Sequence, residues 1–249
     1  MLIQNNTHAH SIIQATPEQV ALAARNWFVS IAIMSILQRD RCIVALSGGS
    51  TPKRLYQLLA ELPEGLIDWS KVHLFWGDER NVPSDHVDSN FRMVREALID
   101  RIIGPKPVVH AVPTDGRTPA EAAINYERTM RQLAGSSPFI FDIVLLGLGD
   151  DAHTASLFPE TTALKVLNRW VVENEVPKLS THRITLTAPI LNASRNTAFL
   201  ICGASKQWAL GKIHSAERNS NLYPAQLVRP LGDLWWFMDE AASEATYVE

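Results

Sequence analysis

The sequence predicts an α/β fold in which a doubly wound, mostly parallel sheet carries helices on both faces. Short apolar runs alternate with segments of helical periodicity, which favours right-handed β-α-β units. The segment 141–146 is almost continuously apolar, a pattern typical of parallel strands covered on both sides. No repeat, linker or low-complexity stretch interrupts the 249 residues, so one domain spanning 1–249 is expected.

Local signals predict the individual elements in order. Thr16 and Pro17 suit the N-cap and first position of a helix, and Glu18 complements the positive helix end. Runs of β-branched and aromatic residues that end in glycine predict the strands. The expected elements are a helix over 17–38, strands over 42–46, 72–76, 108–112 and 141–146, helices over 53–61, 90–102 and 119–133, further strands over 170–172, 183–186 and 198–202, and a helix over 205–215.

Composition limits the classes of function. Hydrophobic residues make up 46% and charged residues 20%, with a net charge of -3, so a nucleic-acid partner is not expected. The apolar stretch 27–37 is too short to span a membrane and predicts a buried helix. The N-terminal residues lack a signal-peptide pattern, and Cys42 and Cys202 lie in apolar runs as expected of buried thiols, with no zinc spacing. We therefore expect a cytoplasmic protein without a metal.

The first candidate loop, Ser47-Gly48-Gly49-Ser50-Thr51-Pro52, follows the strand over 42–46. Two glycines let the backbone approach a ligand closely, and Ser50 or Thr51 could cap the next helix. The free N–H groups at such a helix start bind anions. A tight turn that needs glycine only for its geometry explains the same residues, and both interpretations stay open.

The second candidate loop begins after Trp76. Arg80 offers a planar guanidinium that suits a phosphate or a carboxylate. His86 and Asp88 resemble metal ligands, but no third ligand is close in sequence. Residues 88–90 are better explained as caps of the following helix, so a structural role is favoured for His86 and Asp88.

The third loop follows the strand over 141–146 and matches the pattern of a dinucleotide-binding turn, with Glu173 at a suitable distance downstream. Asp150 and Asp151 would place negative charge where a pyrophosphate should bind, and Pro159 leaves little room for a helix. A dinucleotide site is therefore a weak alternative. A histidine beside carboxylates is typical of a general base, so His153 is the candidate catalytic residue.

Together these loops resemble the 6-phosphogluconolactonase family. Lys206 lies at the start of a predicted helix, where acidic residues are favoured, and either an anionic ligand or simple exposure of the side chain explains it. The matching segments are Leu-Ser-Gly-Gly-Ser-Thr-Pro (46–52), Gly-Asp-Glu-Arg-Asn-Val-Pro (77–83), Asp-Ser-Asn-Phe (88–91), the run from Phe141 to Pro159, Arg-Ile-Thr-Leu-Thr (183–187), Gly-Ala-Ser-Lys (203–206) and Tyr-Pro-Ala-Gln-Leu-Val (223–228).

The resemblance implies the fold of glucosamine-6-phosphate deaminases and ribose-5-phosphate isomerases. It also implies hydrolysis of 6-phospho-D-glucono-1,5-lactone to 6-phospho-D-gluconate in the oxidative pentose phosphate pathway, with no cofactor. By this resemblance His153 is the base and Asp151 or Asp150 holds its imidazole. The implied substrate-binding residues are Ser47, Gly48, Gly49, Ser50, Thr51, Asp78, Arg80 and Lys206. We expect a small sugar phosphate as the ligand and a monomer or weak homo-oligomer.

The sequence departs from the family at Ala152, where glycine is usual. If this position needs a positive φ, alanine costs about 1–2 kcal/mol of strain, and the loop that carries His153 could take another path. Two alternative functions remain. One is an amino-sugar-phosphate isomerase or deaminase, whose histidine segment continues Ile-Ala-Phe-Asn-Glu rather than Thr-Ala-Ser-Leu-Phe (154–158). The other is a non-catalytic sugar-phosphate-binding protein.

Overall fold

A computed structural model describes residues 8–244. The N-terminal segment that was expected to lack a signal-peptide pattern lies mostly outside these residues. The strands form two sheets, one of seven strands and one of three. The strands are β1 (Ala9–Gln14), β2 (Cys42–Leu46), β3 (Val72–Trp76), β4 (Asp78–Arg80), β5 (Val108–Val109), β6 (Ile143–Leu146), β7 (Val171–Val176), β8 (Thr181–Leu186), β9 (Asn196–Ile201) and β10 (Asp233–Asp239).

The helices surround the larger sheet, and 3-10 turns fill several of the connections. The α-helices are α1 (Pro17–Arg39), α2 (Ser50–Ala60), α3 (Asn90–Ala97), α4 (Pro119–Ala134), α5 (Ala188–Asn192), α6 (Gln207–His214) and α7 (Glu240–Ser243). The 3-10 turns are Trp69–Lys71, Ile99–Arg101, Thr162–Lys165, Pro177–Leu179, Ala204–Lys206 and Pro224–Leu227.

The larger sheet confirms the predicted fold class. Its order is β1-β10-β9-β6-β2-β3-β5, and every pair in it is parallel. Every residue of β2 and β6 is buried, which requires cover on both faces of the sheet. The predicted cap of α1 is also present, because the Thr16 side chain accepts a hydrogen bond from the Gln19 N–H.

The smaller sheet was not predicted. The segments expected as further strands at 170–172 and 183–186 are β7 and β8, and they pair with β4 in the antiparallel order β4-β8-β7. Their sequences mix charged and apolar residues, so that β7 buries only part of its length, as antiparallel strands with one solvated face do. The polar strand β1 and the last strand of the described residues, β10, were also missed; β1 is an edge strand with partly exposed residues.

Several predicted boundaries also need correction. Helix α2 begins at Ser50 rather than residue 53, because Pro52 in the first helical turn has no intrahelical N–H bond to lose. Helix α3 ends at Ala97, and a 3-10 turn replaces its expected last turn. The strand expected over 108–112 is reduced to two exposed residues at the sheet edge. Helix α6 begins at Gln207, after a 3-10 turn that holds Lys206.

Helix α1 is long and apolar enough to cross a membrane when judged by length and composition alone. It packs on α2 and the larger sheet, and Val20, Ala24 and Phe28 are fully buried there. Its outer face is different: Met34 and Leu37 are exposed. The buried helix expected over 27–37 is therefore buried on one face only, the face that reaches the core.

The sheet order places the candidate loops side by side. Strands β2 and β6 are neighbours, and β3 and β9 flank them. All four strands are parallel, so the loops that follow them leave the same edge of the sheet. In open α/β sheets ligands bind at this carboxyl edge. The segments 47–52, 77–90, 147–159 and 202–206 meet there.

Candidate active site

A cavity of about 490 Å³ opens at the carboxyl edge of the larger sheet. This volume is in the usual range for a small-molecule site. Its walls come from the three loops considered above, from the turn that holds Lys206 and from the smaller sheet. The predicted site residues that line it are Ser47, Gly48, Gly49, Ser50, Thr51, Asp78, Arg80, Asp150, Asp151, His153 and Lys206.

His153 is held from two sides in this cavity. Its Nδ1 lies 2.5 Å from Asp151 Oδ1, and its ring stacks on Phe158 with centroids 4.0 Å apart. A carboxylate at Nδ1 selects the tautomer that has its proton there and leaves Nε2 as a free acceptor. Nε2 has no hydrogen-bond partner among residues 8–244. Gly149 is required beside it, because a Cβ there would lie 2.0 Å from the imidazole.

The two aspartates of the loop have different partners. Asp151 contacts His153 through Oδ1 and Lys178 through Oδ2, the latter at 2.9 Å. These hydrogen bonds, chiefly the one from His153, hold the pKa of the Asp151 carboxyl well below its ordinary value. Asp150 instead forms an ion pair with Lys206. Of the two aspartates, only Asp151 is placed to orient the imidazole.

Ala152 adopts the left-handed conformation, with φ of 62°. The residue is fully buried, and its carbonyl accepts a hydrogen bond from Ala225 N–H at 2.9 Å. Its own N–H donates to the Gly149 carbonyl at 3.0 Å, which closes the turn before His153. The positive φ that glycine normally supplies is therefore present with alanine, and the imidazole still reaches Asp151.

The first loop positions the start of α2 against the cavity. Gly49 is the N-cap, with φ of 103° and no side-chain hydrogen bond, so the expected cap at Ser50 or Thr51 was wrong. The glycine conformation turns the chain so sharply that both hydroxyl residues fall inside the helix. Gly48 leaves space for Asn90, whose Oδ1 would lie 2.1 Å from an added Cβ.

A buried carboxylate fixes the second loop. Glu79 accepts hydrogen bonds from the backbone N–H groups of Arg80, Asn90 and Phe91, so it binds the start of α3 to β4. Burial nevertheless raises the pKa of Glu79. Its neighbour Asp78 accepts a hydrogen bond of 2.6 Å from the Ser156 hydroxyl. This bond connects the smaller sheet to the loop that carries His153.

Arg80 extends from β4 into the cavity, where its Nη1 donates to the Asp88 carbonyl at 2.6 Å. The cap role of residues 88–90 is confirmed, because Ser89 is the N-cap of α3 and accepts from Arg92 N–H. His86 accepts a hydrogen bond from Asp88 N–H. No group of His, Cys, Asp and Glu side chains suited to a metal occurs within residues 8–244.

Two further features limit the chemistry of the cavity. The segment 147–159 contains turns and no helix, so the weak alternative of a dinucleotide site lacks the helix start that binds a pyrophosphate.

Cys42 is fully buried as expected, but Cys202 is only partly buried and lines the cavity. Burial raises the pKa of the Cys202 thiol to about 11, so it is a thiol at neutral pH.

Sequence reasoning missed several residues that line the cavity. Lys178 comes from the connection between β7 and β8, and Arg183 comes from β8 itself. Arg183 lies in one of the segments that carry the family resemblance, so its position could have been suspected. Lys178 gave no signal, because its contact with Asp151 bridges 27 positions of the chain. Asn90 was considered only as a cap, and Ser156 was not considered as a site residue.

Comparisons with known proteins show which family the sequence resembles. Residues 15–236 match the sequence model of the family described as glucosamine-6-phosphate isomerases/6-phosphogluconolactonase. The 6-phosphogluconolactonase of Nostoc sp. is 43% identical over 235 residues, which is 92% of this chain and 96% of the relative. The Synechocystis sp. 6-phosphogluconolactonase is 44% identical over 84% of this chain and 87% of its own.

Solved structures are similar over nearly the whole chain. The 6-phosphogluconolactonase from Trypanosoma cruzi superposes with a TM-score of 0.85 at 30% identity, covering 96% of this chain and 97% of its own. The Trypanosoma brucei 6-phosphogluconolactonase gives 0.83 at 30% identity, over 96% and 99%.

Proposed function

Because the chain belongs to the glucosamine-6-phosphate isomerase/6-phosphogluconolactonase family, we propose that it hydrolyses 6-phospho-D-glucono-1,5-lactone to 6-phospho-D-gluconate. Relatives of more than 40% identity that carry the lactonase name support a hydrolase. The observation that carries the proposal is the Asp151–His153 pair, whose free Nε2 lies in a cavity with cationic walls. The reaction would be the second step of the oxidative pentose phosphate pathway, performed in the cytoplasm by a monomer or weak homo-oligomer with no metal or nucleotide.

The lactone carbonyl is already electrophilic, so the reaction needs a positioned water and a base rather than a covalent nucleophile. His153 Nε2 removes a proton from a water whose oxygen attacks C1 and forms the new C–O bond. The tetrahedral intermediate then breaks its bond from C1 to the ring oxygen. His153 returns the proton to this oxygen as the ring opens, so that water is added across the ester bond.

Asp151 supports both steps. Its carboxylate holds the Nδ1 proton, fixes the ring orientation and stabilises the imidazolium that forms during the attack. The phosphate, bound at a distance from C1, supplies binding energy that orients the reacting end. The residues proposed to bind phosphate and sugar are Ser47, Gly48, Gly49, Ser50, Thr51, Asp78, Arg80 and Lys206, with Asp150 acting through its ion pair with Lys206.

The deaminase alternative is less well supported. Proton transfer between carbons of an amino sugar needs a further acid or base near the substrate, which that branch carries after its histidine segment. Here the corresponding stretch supplies Ser156, and its hydroxyl donates to Asp78. A non-catalytic sugar-phosphate-binding protein would not need the oriented Asp151–His153 pair.

A coupled assay on freshly generated lactone tests the proposal, with the spontaneous hydrolysis rate subtracted. We expect turnover well above the spontaneous rate, with His153→Ala protein as the background control. Ammonia release from glucosamine 6-phosphate would establish the deaminase instead. Thermal stabilisation by 6-phosphogluconate with no turnover of either substrate would establish the binding protein.

A further inference from the structure

One cation of the cavity contacts the carboxylate that holds the proposed base. Lys178 forms an ion pair with Asp151, whose other oxygen contacts His153. The proposed hydrolysis uses Asp151 and His153 but gives Lys178 no part. Within residues 8–244, no other charged side chain of the cavity wall bonds to Asp151 or His153. The others on this wall are Asp78, Arg80, Asp150, Arg183 and Lys206.

The Asp151 carboxylate is held at both of its oxygens. Oδ1 accepts from the His153 backbone N–H at 3.3 Å and contacts the ring Nδ1 at 2.5 Å. Oδ2 accepts from Lys178 Nζ at 2.9 Å and has no other partner among residues 8–244. A carboxylate bound at one oxygen can still rotate, whereas bonds at both oxygens fix its plane. Lys178 therefore fixes the plane of the carboxylate against the imidazole.

The turn that carries Lys178 is itself fixed against the loop of the base. Pro177–Leu179 forms a 3-10 turn between β7 and β8, and Ser180 ends it in the left-handed conformation, with φ of 48°. Near the end of β7, the fully buried Asn174 donates to the Ser156 carbonyl at 2.8 Å. The loop of the base and the β7–β8 hairpin are thus joined by this buried bond and by the Lys178 ion pair.

The charge of Lys178 opposes the charge of Asp151. Hydrogen bonds, first from His153 and then from Lys178, lower the pKa of the Asp151 carboxyl, so it is ionised at neutral pH. A carboxylate stabilises an imidazolium, and an imidazolium cannot take a proton from water. An ammonium group on the second oxygen offsets part of the carboxylate charge, and so favours the neutral imidazole that the hydrolysis needs.

We propose that Lys178 is a positioning residue for the hydrolysis, which fixes the Asp151 carboxylate and balances its charge so that His153 is available as a neutral, oriented base. Lys178 acts through Asp151 and need not touch the substrate. This inference rests on the proposed function for the reaction, but the state of the Asp151–His153 pair can be measured without turnover. Because 70% of the Lys178 side chain is exposed, solvent screening keeps the effect modest.

Lys178→Met tests the role, because methionine removes the charge and keeps much of the side-chain length. We expect kcat to fall about 3–10-fold and KM to change less than about twofold. The acid limb of the pH profile of kcat/KM should move to higher pH by about 0.3–0.7 unit, because proton uptake by the imidazole becomes easier without the ammonium group.

Two further variants separate charge from structure. Lys178→Arg keeps a cation at the turn and should restore both kcat and the acid limb to near their wild-type values. Lys165→Met, which alters an exposed lysine outside the cavity, is the matched control and should behave like the wild type. An unmoved acid limb in Lys178→Met protein would overturn the inference, because a merely structural contact does not alter proton uptake. A rise in KM of about tenfold or more would instead make Lys178 a substrate-binding residue.

Proton NMR of the unliganded protein provides a readout that is independent of catalysis. A proton on a histidine Nδ1 that is bound to a carboxylate resonates at low field, and its loss in His153→Ala protein assigns the signal. We expect the pH midpoint of this signal to rise in Lys178→Met protein and to return in Lys178→Arg protein. Equal midpoints in the wild type and in Lys178→Met protein would overturn the inference. The expected rise in a protein that hydrolyses no lactone would refute the proposed function and leave the action of Lys178 on the pair standing.

Discussion

Asp151 and His153 are joined from Oδ1 to Nδ1 at 2.5 Å, although only one residue separates them in the chain. The left-handed turn at Ala152 makes this contact possible, because it folds the two side chains onto the same side of the loop. Asp150, immediately before them, points to Lys206 instead. The structure therefore divides two adjacent aspartates between the imidazole and a lysine.

His153→Ala should lower kcat/KM for the lactone by about 10²-fold or more, the usual scale for loss of a general base. The fall should appear in kcat, because the residues proposed to bind the phosphate are on other elements. Steady-state kinetics with the spontaneous rate subtracted measures it. Near-normal turnover would remove His153 from the role of base.

Asp151→Asn and Asp150→Asn should have clearly different effects. The first replaces the acceptor that fixes the imidazole, and we expect kcat to fall about 10–100-fold. The second disturbs only the Lys206 pair, and we expect kcat to stay within about threefold of the wild type. The two proteins should be compared side by side on the same lactone preparation. The reverse order of effects would reassign the orienting aspartate.

Lys206→Ala should mainly raise KM, by about 3–10-fold, as expected for a cation that a neighbouring carboxylate already balances. This effect should be smaller than that of Arg183→Gln, because the buried Nε of this cavity-lining arginine has no hydrogen-bond partner within residues 8–244. Measuring KM for both variants under one ionic strength gives the comparison. A larger loss at Lys206 would mean that the phosphate binds at the α6 end of the cavity.

Ala152 provides a test of backbone strain. Ala152→Gly should change the free energy of unfolding by less than about 1 kcal/mol, because relief of the left-handed strain is offset by the greater freedom of glycine in the unfolded chain. Ala152→Val should cost about 3 kcal/mol or more, since a β-branched residue fits neither the positive φ nor the buried space. Urea unfolding measures both. A valine variant as stable as the wild type would contradict the left-handed turn.

The stacked histidines His73 and His110 should make stability depend on pH. Burial and the neighbouring His73 lower the pKa of His110 from 6.5 to about 4. Between pH 6.5 and about 4, His110 binds more protons in the unfolded chain than in the folded protein. The contribution of neutral His110 to the free energy of unfolding is therefore complete above pH 6.5 and is lost as the pH falls to about 4. The half-buried ring limits its size to about 1–2 kcal/mol.

His110→Phe should flatten this dependence, because phenylalanine can keep the stacking on Phe75 and does not titrate. Unfolding at pH 7 and pH 5 measures the slope, and His182→Gln at an exposed histidine is the control. An unchanged slope in the His110 variant would assign the acid sensitivity to other groups.

The sequence predicted the central strands well and the periphery poorly, for physical reasons. Strands β2 and β3 have their predicted bounds, because a strand buried on both faces shows an unbroken apolar run. Strand β1 and the smaller sheet are partly solvated, so their polar residues hide the pattern. Strand β4, only three residues long, is defined by pairing with β8 rather than by its own sequence.

The candidate site shows the same division. Residues within one loop, such as Asp151 and His153, could be associated from sequence because their spacing is short. Contacts between distant segments could not, and the Lys178–Asp151 and Arg80–Arg183 relationships are of that kind. Which aspartate orients His153, Asp150 or Asp151, depends on the backbone conformation of Ala152. From the sequence alone it was not known whether this residue adopts a positive φ.

The separation of the two sheets has a consequence for how such a protein can diversify. The proposed base lies on a loop of the larger sheet, whereas Arg80 and Arg183 lie on the smaller one. The Ser156–Asp78 hydrogen bond connects the smaller sheet to the loop that carries the base. Substitutions on β8 can therefore change which substituent is recognised without rebuilding the acid–base loop. An engineer seeking activity on a differently charged lactone should randomise the cavity-facing positions of β8 first and keep the Ser156–Asp78 hydrogen bond.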